Sequence, residues 1–304
     1  MKKHFIGSFI ILTLISSFTA TSLTARQISS PWFQVEVTGS GSPMVLIPGL
    51  SSSGEVWQET VERYQDRFEI HVFTLAGFAG VPAPDSAGVF LPVIKQQLIN
   101  YMEENLNEPA VIIGHSLGGF LTYWIGSKRP DLLRAAVAVD GMPWLAGLQF
   151  GHLEPEVRQQ QIEQMYAGMR NQTDTQFRAM QPFIFSTMIR DSEKAAKWSR
   201  WGETSDRHIV ALAMYELYSI DLSDKLSSMD VPTLQMYSWA AYAAYGATRE
   251  GTLINVQAQT DKHPDISFAT HDEAWHFMMT DEPEWFFSEI DSFLNSRSGM
   301  SITN

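Results

Sequence analysis

Ser116 stands in Gly114-His115-Ser116-Leu117-Gly118, between the apolar run Ala110-Val111-Ile112-Ile113 and a segment carrying Phe120, Leu121, Trp124 and Ile125 at helical spacing. A serine hydroxyl is a poor nucleophile at neutral pH, so it needs exposure, a base within hydrogen-bond reach and donors for a developing oxyanion. A sharp turn from strand to helix supplies the first and the third. Glycines at 114 and 118 remove Cβ atoms that would collide in such a turn, and the first N–H groups of the following helix are free beside the serine. The base has to take the serine proton and return it to a leaving group, which is histidine chemistry. His276 is the first choice, because it falls in a loop between the last strand and the last helix. His271, five residues earlier, competes with it. His115 adjoins the serine in the chain, so its side chain points away and reads as a packing or supporting residue.

Positioning these groups is the work of repeated strand and helix units. Phe33, Val35 and Val37 alternate with polar residues, as an edge strand with one buried face would, and Met44–Ile47 reads as a buried strand ended by Pro48-Gly49. A helix marked by Trp57, Val61 and Tyr64 follows, then a strand over Ile70–Leu75 and a helix marked by Ile94, Leu98, Tyr101 and Met102. The serine strand and its helix come next, Pro130 stops that helix, and Ala135–Val139 is another buried strand. This alternation predicts an α/β fold, a mainly parallel central sheet with helices on both faces. It breaks off over residues 143–228, where helical segments carry Trp144, Leu145, Phe150, Met165, Tyr166, Met169, Phe177, Met180, Phe183, Phe185 and Met188. An insertion of this kind predicts a helical cap (lid) over the carboxyl ends of the strands, where ligands bind in such sheets. Most of those bulky residues are expected to pack between lid helices and about a third to face a pocket. Residues 26–142 and 229–297 form the predicted core. Its second part holds a strand at Val231–Tyr237, a short strand near Ile266–Thr270 and a last helix with Phe286, Ile290, Phe293 and Leu294 on its buried side.

Residues 1–25 differ in kind: Lys2 and Lys3 precede an apolar run from Phe5 to Phe18 and then small and hydroxylated residues to Ala25. That layout predicts a cleaved signal peptide, hence an exported protein, periplasmic or secreted. The chain has no cysteine, which excludes disulfides, a thiolate nucleophile and a lipoprotein anchor. Its formal charge of −13, from 34 acidic and 21 basic residues, argues against nucleic acid and anionic membranes as partners. No stable membrane span is expected after signal cleavage. With 44% hydrophobic residues the chain can bury a sizeable core, and residues 298–304 read as a frayed tail. No metal-ligand spacing and no phosphate or dinucleotide loop is present in the sequence, so no cofactor is expected.

Together these pieces resemble the α/β-hydrolase fold superfamily, in its capped, esterase-like group with a Gly-His-Ser-Leu-Gly-Gly elbow. Ile47-Pro48-Gly49-Leu50-Ser51-Ser52-Ser53 resembles the family's oxyanion loop, Gly114–Gly118 its nucleophile elbow, and Trp275-His276-Phe277 its histidine loop, with Trp275 where glycine is common. The resemblance implies Ser116 as nucleophile, His276 as base, and the backbone N–H groups of Leu50 and Leu117 as oxyanion donors. Ser51–Ser53 stand beside that loop, with a helix N-cap role open for Ser53. In many relatives the acid follows the strand that begins here at Val231, but Tyr237-Ser238-Trp239 holds no carboxylate. The other family position is occupied by Asp140, in Val139-Asp140-Gly141. Asp-Gly after a strand is also an ordinary turn, which leaves Glu250 or another acid as the alternative partner. The implied activity is hydrolysis of a small apolar ester or lactone through an acyl-enzyme. Carbon–carbon bond hydrolysis or perhydrolysis on the same triad, and a weakly active ligand-binding protein of the same fold, are the other readings. Epoxide and haloalkane hydrolysis fit less well, since those relatives place an aspartate where Ser116 stands.

Overall fold

The computed structural model describes residues 26–85 and 88–297, so the expected signal peptide and tail lie outside the described residues. Eight strands form one sheet: β1 (Arg26–Ser29), β2 (Phe33–Gly39), β3 (Ser42–Ile47), β4 (Phe68–Leu75), β5 (Ala110–His115), β6 (Leu133–Val139), β7 (Thr233–Met236) and β8 (Ile266–Ala269). Their spatial order is β1-β2-β4-β3-β5-β6-β7-β8. β1 and β2 run antiparallel to their neighbours, and all pairs from β4 to β8 are parallel. Phe33, Val35 and Val37 are buried on one face as their alternation predicts, but β2 is not the edge. β1 pairs along its outer side, and its exposed sequence Arg-Gln-Ile-Ser gave no apolar signal of a strand.

The inner strands divide their side chains between two cores with the period of two that a pleated strand imposes. Val45, Ile47, Ile112, Ala136 and Ala138 enter one core, with α2 (Leu91–Asn105) and α3 (Leu117–Lys128) over them. Met44, Leu46, Val111, Ile113, Val137 and Val139 enter the other, which holds Tyr64 of α1 (Gln58–Tyr64). Both faces are covered, which is why these strands read as unbroken apolar runs. α3 is buried on all sides from Leu117 to Ser127, in keeping with its central place.

Between β6 and β7 the described chain forms α4 (Leu145–Phe150), α5 (Pro155–Arg170), α6 (Asp174–Met188), α7 (Ser192–Glu203) and α8 (Arg207–Ser219), with no strand. Glu216 on α8 joins this insertion to the core. Its buried carboxylate accepts the N–H groups of Phe90 and Leu91, free donors at the start of α2. After β7 come α9 (Arg249–Thr260), β8, α10 (Met278–Asp281) and α11 (Pro283–Asn295), whose Phe286, Ile290, Phe293 and Leu294 are buried. Among the described residues no helix is long and apolar enough to cross a membrane.

Parallel register decides where the loops emerge. Ile47 pairs with Gly114, His115 with Val139, Val139 with Met236 and Met236 with Ala269. The carboxyl ends of five strands are therefore level, and the segments after them meet along one edge of the sheet.

Candidate active site

At the end of β5 the chain turns into α3 through Ser116, whose φ of 53° and ψ of −115° no ordinary helix or strand residue adopts. Its N–H donates to the Val139 carbonyl at 2.8 Å, and its own carbonyl accepts from Phe120 at 3.0 Å. The turn closes only without side chains at its flanks. A Cβ at Gly114 would lie 2.1 Å from the Gly118 oxygen, and one at Gly118 would lie 2.2 Å from the Ile47 oxygen. The Ser116 hydroxyl makes no capping bond to α3 and faces a cavity. A Cβ at Gly49 would lie 3.2 Å from the Ser116 Cβ, so the loop carrying Leu50 runs directly beside the serine. Leu117 opens α3, and its N–H has no carbonyl one turn back to bond within the helix. Ser53 caps the short 3-10 turn Gly54–Trp57 by accepting from Glu55, while Ser51 and Ser52 line the cavity.

His276 lies between β8 and α10, and its Nδ1 is 2.5 Å from Asp140 Oδ2. Asp140 follows β6 with a φ of 46°, and its second oxygen, Oδ1, accepts the Ser238 N–H at 2.7 Å. The two side chains are only 12% and 10% exposed, so water does little to screen the pair. With Nδ1–H donated to the carboxylate, Nε2 is the nitrogen left to accept a proton. Among the described residues no direct Ser116 to His276 hydrogen bond is present; such bonds commonly tighten only when substrate binds. The other candidates lie elsewhere. His271 Nδ1 accepts the Glu273 N–H, its ring lies against Trp285, and Glu250 is exposed in the first turn of α9.

His115 is fully buried and donates Nε2–H to the His276 carbonyl at 3.0 Å, its ring 4.6 Å from that of His276 and 4.5 Å from that of Phe277. Burial, with His276 adjacent, holds its imidazole well below the usual range, so it is neutral. It therefore supports the loop that carries His276.

The cavity has a volume of about 1000 Å³ and reaches from Ser116 and His276 into α6, α8 and α9. Leu145, Met169, Phe177, Met180, Phe185 and Met188 line it, six of the eleven bulky residues singled out in the insertion. That exceeds the third expected, because α6 lays one whole face along the cavity. Two features had no sequence signal pointing to them: the Ser238 amide, a backbone donor, and the lining residues Tyr237 and Tyr242. The missing carboxylate after β7 was the available hint that this strand end does something else.

A model described as the alpha/beta hydrolase family matches residues 44–289. The chain belongs to the alpha/beta hydrolase family. A pimeloyl-acyl-carrier-protein methyl ester esterase of Aeromonas hydrophila is 24% identical over 269 residues, covering 86% of this chain and 98% of that one. A thermophilic esterase from Thermogutta terrifontis superposes with a TM-score of 0.70 at 19% identity, over 90% of this chain and 98% of its own. The enol-lactonase of Burkholderia xenovorans superposes with a TM-score of 0.70 at 14% identity, over 86% and 96%. These likenesses establish the fold.

Proposed function

We propose that this protein is an exported serine hydrolase that cleaves a carboxylic ester or lactone by way of a Ser116 acyl-enzyme. One observation carries the reading: the 2.5 Å bond from His276 Nδ1 to Asp140, at the edge of the cavity into which the strained Ser116 turn presents its hydroxyl. The esterase relative from Aeromonas hydrophila supports the same class of reaction. In the first step Ser116 Oγ bonds to the substrate carbonyl carbon while its proton passes to His276 Nε2. The carbonyl oxygen becomes an oxyanion held by the Leu50 and Leu117 N–H groups, and Asp140 stabilises the imidazolium. Collapse breaks the bond to the alcohol oxygen, which leaves with the proton from His276. Water then repeats the sequence on the acyl-enzyme, releasing the acid and Ser116. The insertion of residues 143–228 acts as the cap that excludes bulk water and shapes the pocket.

The test is direct. Wild-type protein is expected to release p-nitrophenol from a short acyl ester and to be labelled by a fluorophosphonate, and Ser116→Ala to do neither. Undiminished turnover by Ser116→Ala would sink the reading. Export rests on Lys2, Lys3 and the apolar run to Phe18. Protein recovered from the periplasm or medium of a bacterial host is expected to begin near residue 26. Full-length protein retained in the cytosol would count against export.

A further inference from the structure

We propose that the cavity is built for an ester that carries no charge and whose bulk is a medium-length or long apolar chain. This rests on the ester-hydrolase reading above and narrows its substrate. Among the described residues, Asp140 is the only Asp, Glu, Lys or Arg lining the cavity, and both of its oxygens are taken, by His276 and by Ser238. The described Lys and Arg side chains lie outside it. A substrate carboxylate or phosphate seated there would lose its water without gaining a counter-ion, which disfavours it strongly.

The walls favour hydrocarbon. Phe177, Ile184 and Met188 on α6 face the cavity together with Val210, Met214 and Leu217 on α8. Methionine is unbranched and adaptable, so such a wall accommodates chains of several lengths. The volume, about 1000 Å³, is at the top of the range usual for small-molecule sites and exceeds what a short acyl ester fills. Besides the histidines, the other polar side chains on the wall are hydroxyls and amides, and among them the Tyr218 O–H donates to Gln149 Oε1 at 2.6 Å. Neutral donors and acceptors orient a substrate but do not compensate a buried ion.

The test compares methyl octanoate with monomethyl suberate, which differ by a terminal carboxylate on the same carbon chain, using the wild-type protein and p-nitrophenyl butyrate as a control. The neutral ester is expected to have a kcat/KM at least about a hundredfold higher. In the p-nitrophenyl series kcat/KM is expected to rise from acetyl to octanoyl. Met180 lines the cavity but is 44% exposed, so an arginine there keeps contact with water. Met180→Arg is expected to narrow the ratio between the two methyl esters by about tenfold. Equal rates on the pair, a preference for the suberate, or an unchanged ratio in Met180→Arg would overturn the substrate assignment while ester hydrolysis stood. No turnover of p-nitrophenyl butyrate by the wild type would remove the underlying reading, and the two failures are thereby distinguished.

Discussion

The Ser238 N–H donates to Asp140 Oδ1 at 2.7 Å while the other oxygen of that carboxylate meets His276 Nδ1. The end of β7, which holds no carboxylate of its own, thus orients one supplied by β6. Asp140→Asn is expected to keep the fold, because an amide oxygen still accepts from Ser238, but to present the wrong partner to His276. A fall in kcat of about 10³ to 10⁴-fold with an unchanged circular dichroism spectrum is the expected result. A loss of less than about tenfold would show that another acid serves His276.

Gly118 and Gly168 predict opposite outcomes for the same chemical change. A Cβ at 118 runs into the Ile47 and Pro48 backbone, which cannot yield without moving β3, whereas nothing lies within 4 Å of one at 168 in α5. Gly118→Ala is expected to lower the melting temperature sharply or prevent folding. Gly168→Ala is expected to stabilise by about 0.5 to 1 kcal/mol through helix propensity. Thermal melts of both variants check this, and equal effects would refute it.

Buried histidines set an acid limit on stability. Burial lowers the His263 imidazole from 6.5 to about 4; its Nδ1 accepts the Asp265 N–H and its Nε2 has no partner. His71 and His115 are lowered by burial as well. Between about pH 6.5 and 4 the unfolded chain binds the His263 proton and the folded one does not, so stability rises with pH across that window. On acidification this one group removes on the order of 3 kcal/mol, and below about pH 4 it removes no more. His263→Asn, whose side-chain oxygen can accept the same amide, is expected to flatten the profile of melting temperature against pH. A steeper profile in the variant would contradict the assignment.

Arg190 ties the junction of α6 and α7 to the loop that carries His276. Its guanidinium donates to the Glu273 carbonyl at 2.8 Å and pairs with the Glu273 and Glu282 carboxylates, while Asp281 accepts the N–H groups of both Arg190 and Trp275. Exposed ion pairs of this kind contribute at most about 1 kcal/mol to stability. Their effect on the placement of His276 is larger, since small displacements of a reacting group cost rate steeply. Arg190→Ala is expected to lower kcat by about tenfold with little change in melting temperature, and Arg190→Lys to recover part of it. An unaltered kcat would limit Arg190 to a surface role.

What could be read without the structure was local. The glycine spacing around Ser116, the apolar runs of the inner strands and the helical pattern of residues 143–228 each depend on neighbours a few positions apart, so backbone geometry imprints them on the chain. Family resemblance extends this to Leu50 and Asp140, while the residues by themselves leave His271 and Glu250 as alternatives. The exposed β1 leaves no apolar imprint, and the sequence therefore points to β2 as the edge.

Only the tertiary structure decided which histidine meets which acid. His276 and Asp140 are 136 residues apart, and their contact follows from the level carboxyl ends of β6, β7 and β8. It decided equally that six of the eleven bulky residues in the insertion line the cavity. The physical reason is common to both: strand register and the placing of α6 along the cavity are sums of many weak contacts between distant segments, and no single stretch of chain carries that sum.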